Sequence, residues 1–580
     1  MANSAALVLC MLALQSVVSN HFVLSQFPVE CLDDTSLANR KCCPTVSIGG
    51  ANHDCGGPGR GSCKSIPDSH CHTETSSDPA DILAYLKNTT YEPSRYPWPN
   101  RVFTQVCECE GDWAGYNCDE CKFGYVRTPM GQGGVAQCVK RQTPLVRRNF
   151  LTLSPSERDQ VQNVVAASRN RTGAGKSRFG VLVDESHFPG TPGTSSPSQL
   201  TSADFKTDIS TYEFMAWIHY FAAKDSSPPP AGWPNVTVDF AHEAPTFLAW
   251  HRLYMLLFET ELQMVSGNSS FALPYWDWLD NSTRSTLLTE NKFGNTSALT
   301  GVLADFTITC RIAAFSPDSP RRGNGSLCTR AEFDSTVKVS RDFGRWHDET
   351  QFLPSNRDIW DALHTTDRYD MEHYNASATG YNSYREALEG FTPFPGKTYC
   401  QKPDRNTVHE IHNAVHIYTG GTMANVAAST NDPIFWLHHC MVDRVFEIFI
   451  KRNGETYTPT VGAPPGHNAD DCMVPFYPLH RNKDYLKLST EFGYQYDSLP
   501  KYTQEPVRHD RSQCAANLPT EEPRPIATQP TAPAPGPVSD TTQVPVQTRS
   551  SAHRATLDVS LVAYSVLFAM YSSTVVLACF

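Results

Sequence analysis

The sequence has no cluster of basic residues. Its 580 residues contain 48 Lys and Arg against 60 Asp and Glu, a formal net charge of −12. Proteins that bind nucleic acid through its phosphates present a basic patch or stripe. We therefore expect no nucleic-acid partner.

Charge is also scarce at both ends of the chain. Residues 1–19 are an apolar run closed by small residues, and although they lack Lys and Arg, they predict a secretory signal peptide. The run Val559 to Phe580 has no charged residue and is long enough to cross a bilayer. Small residues at 550–552 and a polar spacer precede it, so a GPI-attachment signal and a transmembrane span are both open. Either one predicts a membrane tether through residues 557–580, outside the cytosol.

Cysteine, in contrast, is abundant near the N-terminus. Eleven of the 19 cysteines lie between Cys31 and Cys138, and "CECEGDWAGYNCDEC" combines close cysteines with glycine turns. Dense cysteine in a secreted chain predicts disulfides. We expect a small disulfide-rich EGF-like module over residues 20–142 that packs against its neighbour.

Glycosylation signals fit the same compartment. The pattern Asn-x-Ser/Thr occurs eight times, at Asn88, Asn170, Asn235, Asn268, Asn281, Asn295, Asn324 and Asn375. One such motif is weak, but eight together predict a glycoprotein of the secretory pathway. We expect it at the cell surface, outside the cell, or in the lumen of a vesicle.

The main domain is predicted over residues 143–495, with a mainly α fold. "TYEFMAWIHYFAA" and "HRLYMLLFETELQMV" are apolar over most of a helical surface, which indicates buried helices. "NDPIFWLHHCMVDR" predicts a helix that Asn431 or Asp432 caps and that starts at Pro433. Residues 496–556 are rich in Pro, Thr and Ala and predict an extended, O-glycosylated stalk.

An internal repeat singles out histidines. "PTFLAWH" and "PIFWLHH" share a proline, a phenylalanine two residues later and a histidine six residues after the proline. These histidines are His251 and His439, so the repeat selects His439 over the neighbouring His438. In the second copy, His412 and His416 are four apart and share one helix face, where both can bind one metal.

Each half of the repeat therefore offers three histidines: His219, His242 and His251 in the first, and His412, His416 and His439 in the second. Neither half supplies a cysteine or a carboxylate at the same spacing. Any one of these histidines could be a hydrogen-bonded core residue, and only the duplicated frame favours ligation. Imidazole suits copper, zinc, iron and nickel. Two redox-active metals could bind O2 between them, whereas two zinc ions would act as Lewis acids.

The motifs around these histidines resemble the tyrosinase family, in its animal melanogenic type, which includes the tyrosinase-related proteins. The resemblance rests on "DFAHEAPTFLAWHR", "LPYWDW", "HNAVHIYTGGTM", "NDPIFWLHHCMVDR" and the cysteine knot, and it spans about residues 27–495. It implies a helical bundle that holds a type-3 dinuclear copper centre. The first copper would be bound by His219, His242 and His251, and the second by His412, His416 and His439.

The resemblance also implies a function. The protein would oxidise monophenols and catechols, such as tyrosine and dopa, to quinones with O2 and feed a melanin-type pigment. The vesicle lumen expected above as one location would then be melanosome-like. Glu389 and Asn413 match family positions thought to hold a water that deprotonates the phenol, a step that needs a base at neutral pH. Glu389 could instead be an exposed carboxylate at a helix end, and Asn413 could bond only to backbone. Asp443, one turn after His439, would orient that imidazole or pair with an arginine.

Three other interpretations remain open at this stage. The same frame could hold zinc in a tyrosinase-related protein that acts as a dopachrome tautomerase. It could be a non-catalytic, tethered recognition protein, or a reversible carrier of O2. Among the cysteines, Cys440 directly follows a predicted ligand, and we expect it to be a buried apolar side chain or a disulfide partner.

Overall fold

Helices and short strands alternate along the part of the chain that the computed structural model describes. The described residues are 27–48, 50–66, 102–128, 136–184, 200–223, 239–280, 287–289, 292–295, 297–310, 328–342, 353–371, 383–390, 411–464 and 466–504. The predicted signal peptide, the C-terminal hydrophobic segment and most of the predicted stalk lie outside them. No helix within these ranges is both long and apolar enough to span a bilayer.

Eight α-helices are present in the described residues: α1 Asp34–Asn39, α2 Pro155–Ala167, α3 Thr211–Ala223, α4 Phe247–Ser266, α5 Asn356–Thr365, α6 Tyr384–Glu389, α7 Ile411–Thr419 and α8 Ile434–Asn453. The strands are short: β1 Lys41–Cys42, β2 Thr45–Ile48, β3 Ala51–Asp54, β4 Gly61–Ser65, β5 Gln105–Cys109, β6 Trp113–Ala114, β7 Glu120–Cys121, β8 Tyr125–Arg127, β9 Cys138–Lys140, β10 Leu145–Arg147, β11 Val181–Leu182, β12 Phe205–Lys206 and β13 Tyr494–Tyr496. The helices in this order of elements agree with the prediction that the main domain is mainly helical.

Three long helices form the centre of the core. Every residue of α3 is buried, and so is every residue from Phe247 to Gln263 in α4 and from Ile434 to Ile450 in α8. Helices that are apolar around most of their surface can be stable only inside a protein, which is where these lie. Trp436 of α8 stacks on Phe258 of α4, with ring centroids 3.9 Å apart. The two helices that carry the repeated motif therefore pack directly against each other.

The start of α8 differs in detail from the sequence prediction. The helix begins at Ile434, one residue after Pro433. Asp432 accepts the Ile434 N–H at 3.1 Å, as a capping residue does, while its carboxylate also binds Arg341 at 2.6 Å. Asn431 does not cap the helix, because its side-chain oxygen accepts the Thr309 N–H at 2.7 Å. The long-range ion pair with Arg341 could not be read from the local sequence.

Disulfides and short hairpins hold the N-terminal module. Five bonds join its described cysteines: Cys31–Cys42, Cys43–Cys63, Cys55–Cys107, Cys109–Cys118 and Cys121–Cys138. The module is disulfide-rich as predicted, and its EGF-like character stays a prediction. Its strands pair mostly antiparallel, β2 with β3, β4 with β5, β6 with β7 and β8 with β9.

Two strands near opposite ends of the predicted main domain pair with each other. Strand β10 pairs in parallel with β13, so that Leu145 lies opposite Tyr494 and Arg147 opposite Tyr496. A further disulfide, Cys310–Cys328, crosslinks a loop of this domain. Cys440 of α8 is buried and makes no disulfide. Of the two predictions for this residue, a buried apolar side chain is therefore confirmed, and a disulfide partner is not.

Candidate metal centre

The first group of histidines meets between α3, α4 and the loop that precedes α4. His219 lies on α3, His242 in the loop, and His251 on α4. All three are buried, and one ring nitrogen of each lies within 4.8 Å of the other two. The ring centroid of His242 is 4.9 Å from that of His219 and 4.9 Å from that of His251.

Hydrogen bonds determine which nitrogen of these rings faces inward. His251 donates from Nδ1 to the Phe247 carbonyl at 2.8 Å, and His242 from Nδ1 to Asp239 Oδ2 at 3.1 Å. A neutral imidazole carries one N–H, so each ring keeps a lone pair on Nε2. Nε2 of His251 and both ring nitrogens of His219 are buried and have no hydrogen-bond partner among the described residues.

The second group of histidines is tighter. Nε2 of His416 lies 3.0 Å from Nε2 of His412 and 3.4 Å from Nε2 of His439, and the last two are 3.3 Å apart. His416 donates from Nδ1 to the Met423 carbonyl at 2.8 Å, and His412 from Nδ1 to the Glu389 carbonyl at 3.2 Å. Helix α7 therefore presents two lone pairs to the nitrogen that α8 supplies.

This arrangement fits a metal ion. Three nitrogens with lone pairs at mutual distances of 3.0 to 3.4 Å repel one another unless a cation or a proton lies between them. Nitrogen ligands lie about 2 Å from zinc or a similar ion, which places the ligands of a tetrahedral site roughly 3.3 Å apart. The three spacings match that value, so the second group is suited to hold one ion. In the first group the three ring nitrogens lie within 4.8 Å of one another around a shared space.

Burial keeps these imidazoles in the form that binds metal. Removal from water lowers the pKa of His219, His251, His412 and His439 well below the ordinary value, and neighbouring imidazoles lower it further. Burial lowers the pKa of His416 to about 4. Neutral imidazole is the metal-ligating form, so the site is ready for a cation at neutral pH.

The adjacent histidines of α8 lie in different settings. His438 is fully buried, and its ring lies parallel to that of His412, with centroids 5.2 Å apart. One of its nitrogens also comes within 4.8 Å of the ligand atoms of the second group. The three short Nε2 contacts, however, involve His439 and not His438, in line with the repeat.

The two halves are interlocked through the repeated phenylalanines. Phe247 packs 4.8 Å from His251 of its own half and 4.7 Å from His412 of the other. Phe435 stacks 4.1 Å from His439 and lies 5.2 Å from His219 of the first half. His251 and His439, the paired histidines of the repeat, stack on each other at 4.4 Å.

Glu389 lies between the two groups and is fully buried. Its Oε1 accepts the Glu243 N–H at 2.6 Å, and its Oε2 accepts from Arg385 Nη1 at 2.7 Å. Its carbonyl receives the bond from His412 described above. The carboxylate thus reaches the residue that follows His242 while its backbone supports the other half, and it is not an exposed helix-end group.

The chemistry of this carboxylate suits proton transfer near neutrality. Burial raises the pKa of Glu389 to about 7, against the opposing effect of the Arg385 cation. A base with a pKa near the working pH is the most effective one. Asn413, on α7 beside His412, is buried, and its Nδ2 has no hydrogen-bond partner among the described residues. Its amide can therefore hold a polar molecule.

Some residues of the site were not identified from sequence. Asp239 binds His242, and its position three residues before that histidine was an available signal for a turn closed by a carboxylate. Arg385 joins Glu389 to Asp370, whose Oδ2 it contacts at 2.7 Å. That long-range pair had no local signal.

Comparisons with known proteins agree with this geometry. The family model described as "Common central domain of tyrosinase" matches residues 209–452, the stretch that contains both histidine groups. The chain is 32% identical to a tyrosinase of Felis catus over 490 residues, which covers 82% of each chain. It is 30% identical over 488 residues to a 5,6-dihydroxyindole-2-carboxylic acid oxidase of Homo sapiens, with 82% coverage of both. Similarity to these relatives thus extends far beyond the histidines.

Proposed function

The chain belongs to the tyrosinase family, and we propose that it is a copper-dependent oxidase that converts monophenols and catechols to quinones with O2. The observation that carries this proposal is the convergence of three Nε2 atoms, at 3.0 to 3.4 Å, opposite a second buried group of three histidines. Such paired imidazole sites suit redox-active copper.

The six histidines have the proposed role of metal ligands. His219, His242 and His251 would hold one copper ion, and His412, His416 and His439 the other. When bound, the copper pair would supply O2 binding and the electron transfer that turns two catechols and one O2 into two quinones and two waters. The protein contributes surroundings that exclude water, hydrogen bonds that fix the tautomers of the imidazoles, and ligands that are already neutral.

Glu389 and Asn413 have the proposed role of moving the phenolic proton. A phenol with a pKa near 10 is neutral at physiological pH and binds a cation better as phenolate. The Glu389 carboxyl, whose pKa is raised to about 7 by burial, can accept that proton. The unpartnered Nδ2 of Asn413 can orient the water that relays it.

The product and its destination extend the proposal. Quinones of tyrosine or dopa would feed a melanin-type pigment. Disulfides throughout the N-terminal module favour an oxidising compartment. Asn170, one of the glycosylation signals, is exposed to solvent. We place the protein in the secretory pathway, either on a membrane tether or in a pigment vesicle.

One experiment tests the proposal against its rivals. The secreted protein is loaded with copper or with zinc, its metal content is measured, and tyrosine, dopa and dopachrome are supplied separately. We expect two copper ions per chain and quinone absorbance from both tyrosine and dopa. Turnover of dopachrome by the zinc form, without oxidation of dopa by the copper form, would support the tautomerase instead. The absence of turnover with all three substrates would leave the recognition protein or the O2 carrier.

A further inference from the structure

His242 differs from the other five candidate ligands in how it is held. It lies in the loop before α4 rather than on a helix, so the helix frame does not fix its direction. Its position depends on the contacts of residues 239–246. Those contacts converge on one carboxylate, that of Asp239, which is fully buried.

The two oxygens of Asp239 have separate tasks. Oδ1 accepts the backbone N–H of Ala241 at 2.7 Å and that of His242, which closes a tight turn around the histidine. Oδ2 faces the ring of His242 and accepts from Nδ1 at 3.1 Å. One carboxylate therefore fixes both the backbone and the imidazole of the same residue.

The loop is pinned further on both sides. His467 donates from Nε2 to the Asp239 carbonyl at 2.8 Å, and its ring stacks on Phe240 with planes 14° apart. On the other side, Glu243 has a backbone φ of 56°, a left-handed conformation uncommon outside glycine, and its N–H binds Glu389. A strained residue held by a buried carboxylate indicates a loop whose shape is tightly determined.

From these contacts we propose that Asp239 is a positioning residue that holds His242 in the Nδ1–H tautomer and thereby leaves Nε2 unprotonated for a metal. A carboxylate can only accept a hydrogen bond, so the proton must reside on Nδ1. Carboxylate partners of this kind orient metal-binding imidazoles and raise their basicity. The inference rests on the proposed metal site, and it adds a residue that touches the ligand, not the metal.

Two substitutions separate this role from a purely structural one. Asp239→Asn keeps an oxygen for the two backbone N–H groups, but it turns an N–H toward the histidine ring. This amide N–H would stabilise the opposite tautomer of His242, in which Nε2 carries the proton and cannot bind a metal. Asp239→Ser keeps a capping oxygen for the backbone, but it has a single polar atom and so lacks the second one that faces the histidine ring in Asp and Asn. If Asp239 sets the tautomer, Asp239→Asn should lose more copper affinity than Asp239→Ser. If Asp239 only supports the loop, Asp239→Ser should lose more.

The measurement is copper affinity, by competition against a chelator of known strength, together with thermal unfolding of the metal-free protein. We expect Asp239→Asn to weaken one of the two copper sites by about 10- to 100-fold, and Asp239→Ser to weaken it less. We expect the metal-free midpoint of Asp239→Asn to stay close to wild type. Asp204→Asn is the matched control, because Asp204 is a buried carboxylate outside the two histidine groups that accepts from the Thr201 N–H at 2.7 Å and from its hydroxyl at 3.1 Å.

The outcomes distinguish this inference from the proposed function. Two tight copper sites in wild type with equal affinity in Asp239→Asn would overturn the tautomer role and leave the oxidase intact. Greater loss in Asp239→Ser than in Asp239→Asn, parallel to lost thermal stability, would overturn it in favour of a structural cap. Wild-type protein that binds no copper would contradict the proposed function itself, and this inference with it.

Discussion

Arg252 donates from Nε to Asp443 Oδ1 at 2.6 Å, and this buried ion pair joins the two helices that carry the repeated motif. Arg252 directly follows His251 on α4, and Asp443 comes one turn after His439 on α8. The other oxygen of Asp443 accepts from Tyr494 at 2.6 Å. Asp443 therefore holds α4 and α8 together behind the site. Of the two roles considered for it, pairing with an arginine is the one that the structure shows.

We expect Arg252→Met to destabilise the protein strongly. Removing one partner leaves the Asp443 carboxylate buried without its main cation, which typically costs about 3 to 5 kcal/mol of unfolding free energy. Burial alone would raise the pKa of Asp443, and the guanidinium groups of Arg252 and Arg147 hold it below the ordinary value. Urea unfolding of the metal-free protein measures the loss. Lys140→Met, which breaks an exposed pair with Glu491, is the control and should cost under about 1 kcal/mol.

We expect His416→Ala to reduce bound copper from two ions per chain to about one and to abolish oxidation of dopa. His416 supplies the shortest Nε2 contact of its group, so its loss opens the second site. Metal analysis and quinone absorbance measure the two effects. His364→Ala removes an exposed histidine that stacks on Trp360 and should change neither. Full copper content in His416→Ala would remove this residue from the ligand set.

We expect Glu389→Gln to impair monophenols more than catechols. Glutamine still accepts the Glu243 N–H but cannot take up a proton, and a lost general base typically slows such a step by about 100-fold or more. The measurement is the ratio of kcat/KM for tyrosine to that for dopa. Glu386→Gln, a change on the same short helix at 3.7 Å from Arg385, is the matched control. Equal losses for both substrates would argue against a proton-transfer role.

We expect the metal-free protein to lose stability as the pH falls below 6.5. Burial holds the pKa of His416, His467 and His480 at about 4, below the ordinary value of 6.5. The unfolded chain therefore takes up protons first, and each histidine removes up to about 1.4 kcal/mol per pH unit between these two values. Above pH 6.5 this contribution is fully present.

Urea unfolding at pH 7.5, 6.5 and 5.5 measures this dependence. The variant His416→Gln titrates one histidine fewer, so its free energy of unfolding should fall less steeply over the same range. A free energy of unfolding that stays constant down to pH 5.5 would show that the folded and unfolded chains take up equal numbers of protons, so that burial does not lower these pKa values.

The buried helices and the histidines that they carry could be predicted from sequence, because the patterns that indicate them are local. The apolar stretch from Thr211 to Ala223 predicts a buried helix, and that helix has those bounds in the structure. The spacing of His412 and His416 and the repeat around His439 are also local patterns. They need only the geometry of a helix, which is the same in every protein.

The remainder depends on contacts between distant parts of the chain. The partner of Asp443 is 191 residues away, and the Glu389 carboxylate meets a backbone N–H 146 residues away. Whether such a carboxylate is exposed or buried cannot be judged from its neighbours in sequence. Asp239 is the exception, because it acts three residues away.

The crossed packing of Phe247 and Phe435 has a consequence for any attempt to dissect the protein. Each phenylalanine belongs by sequence to one copy of the motif, yet its ring also packs against a histidine of the other copy. A fragment with only one copy would keep its imidazoles and lose part of their shelter from water. We therefore expect the two copies to fold as one unit and not as two separate mononuclear proteins.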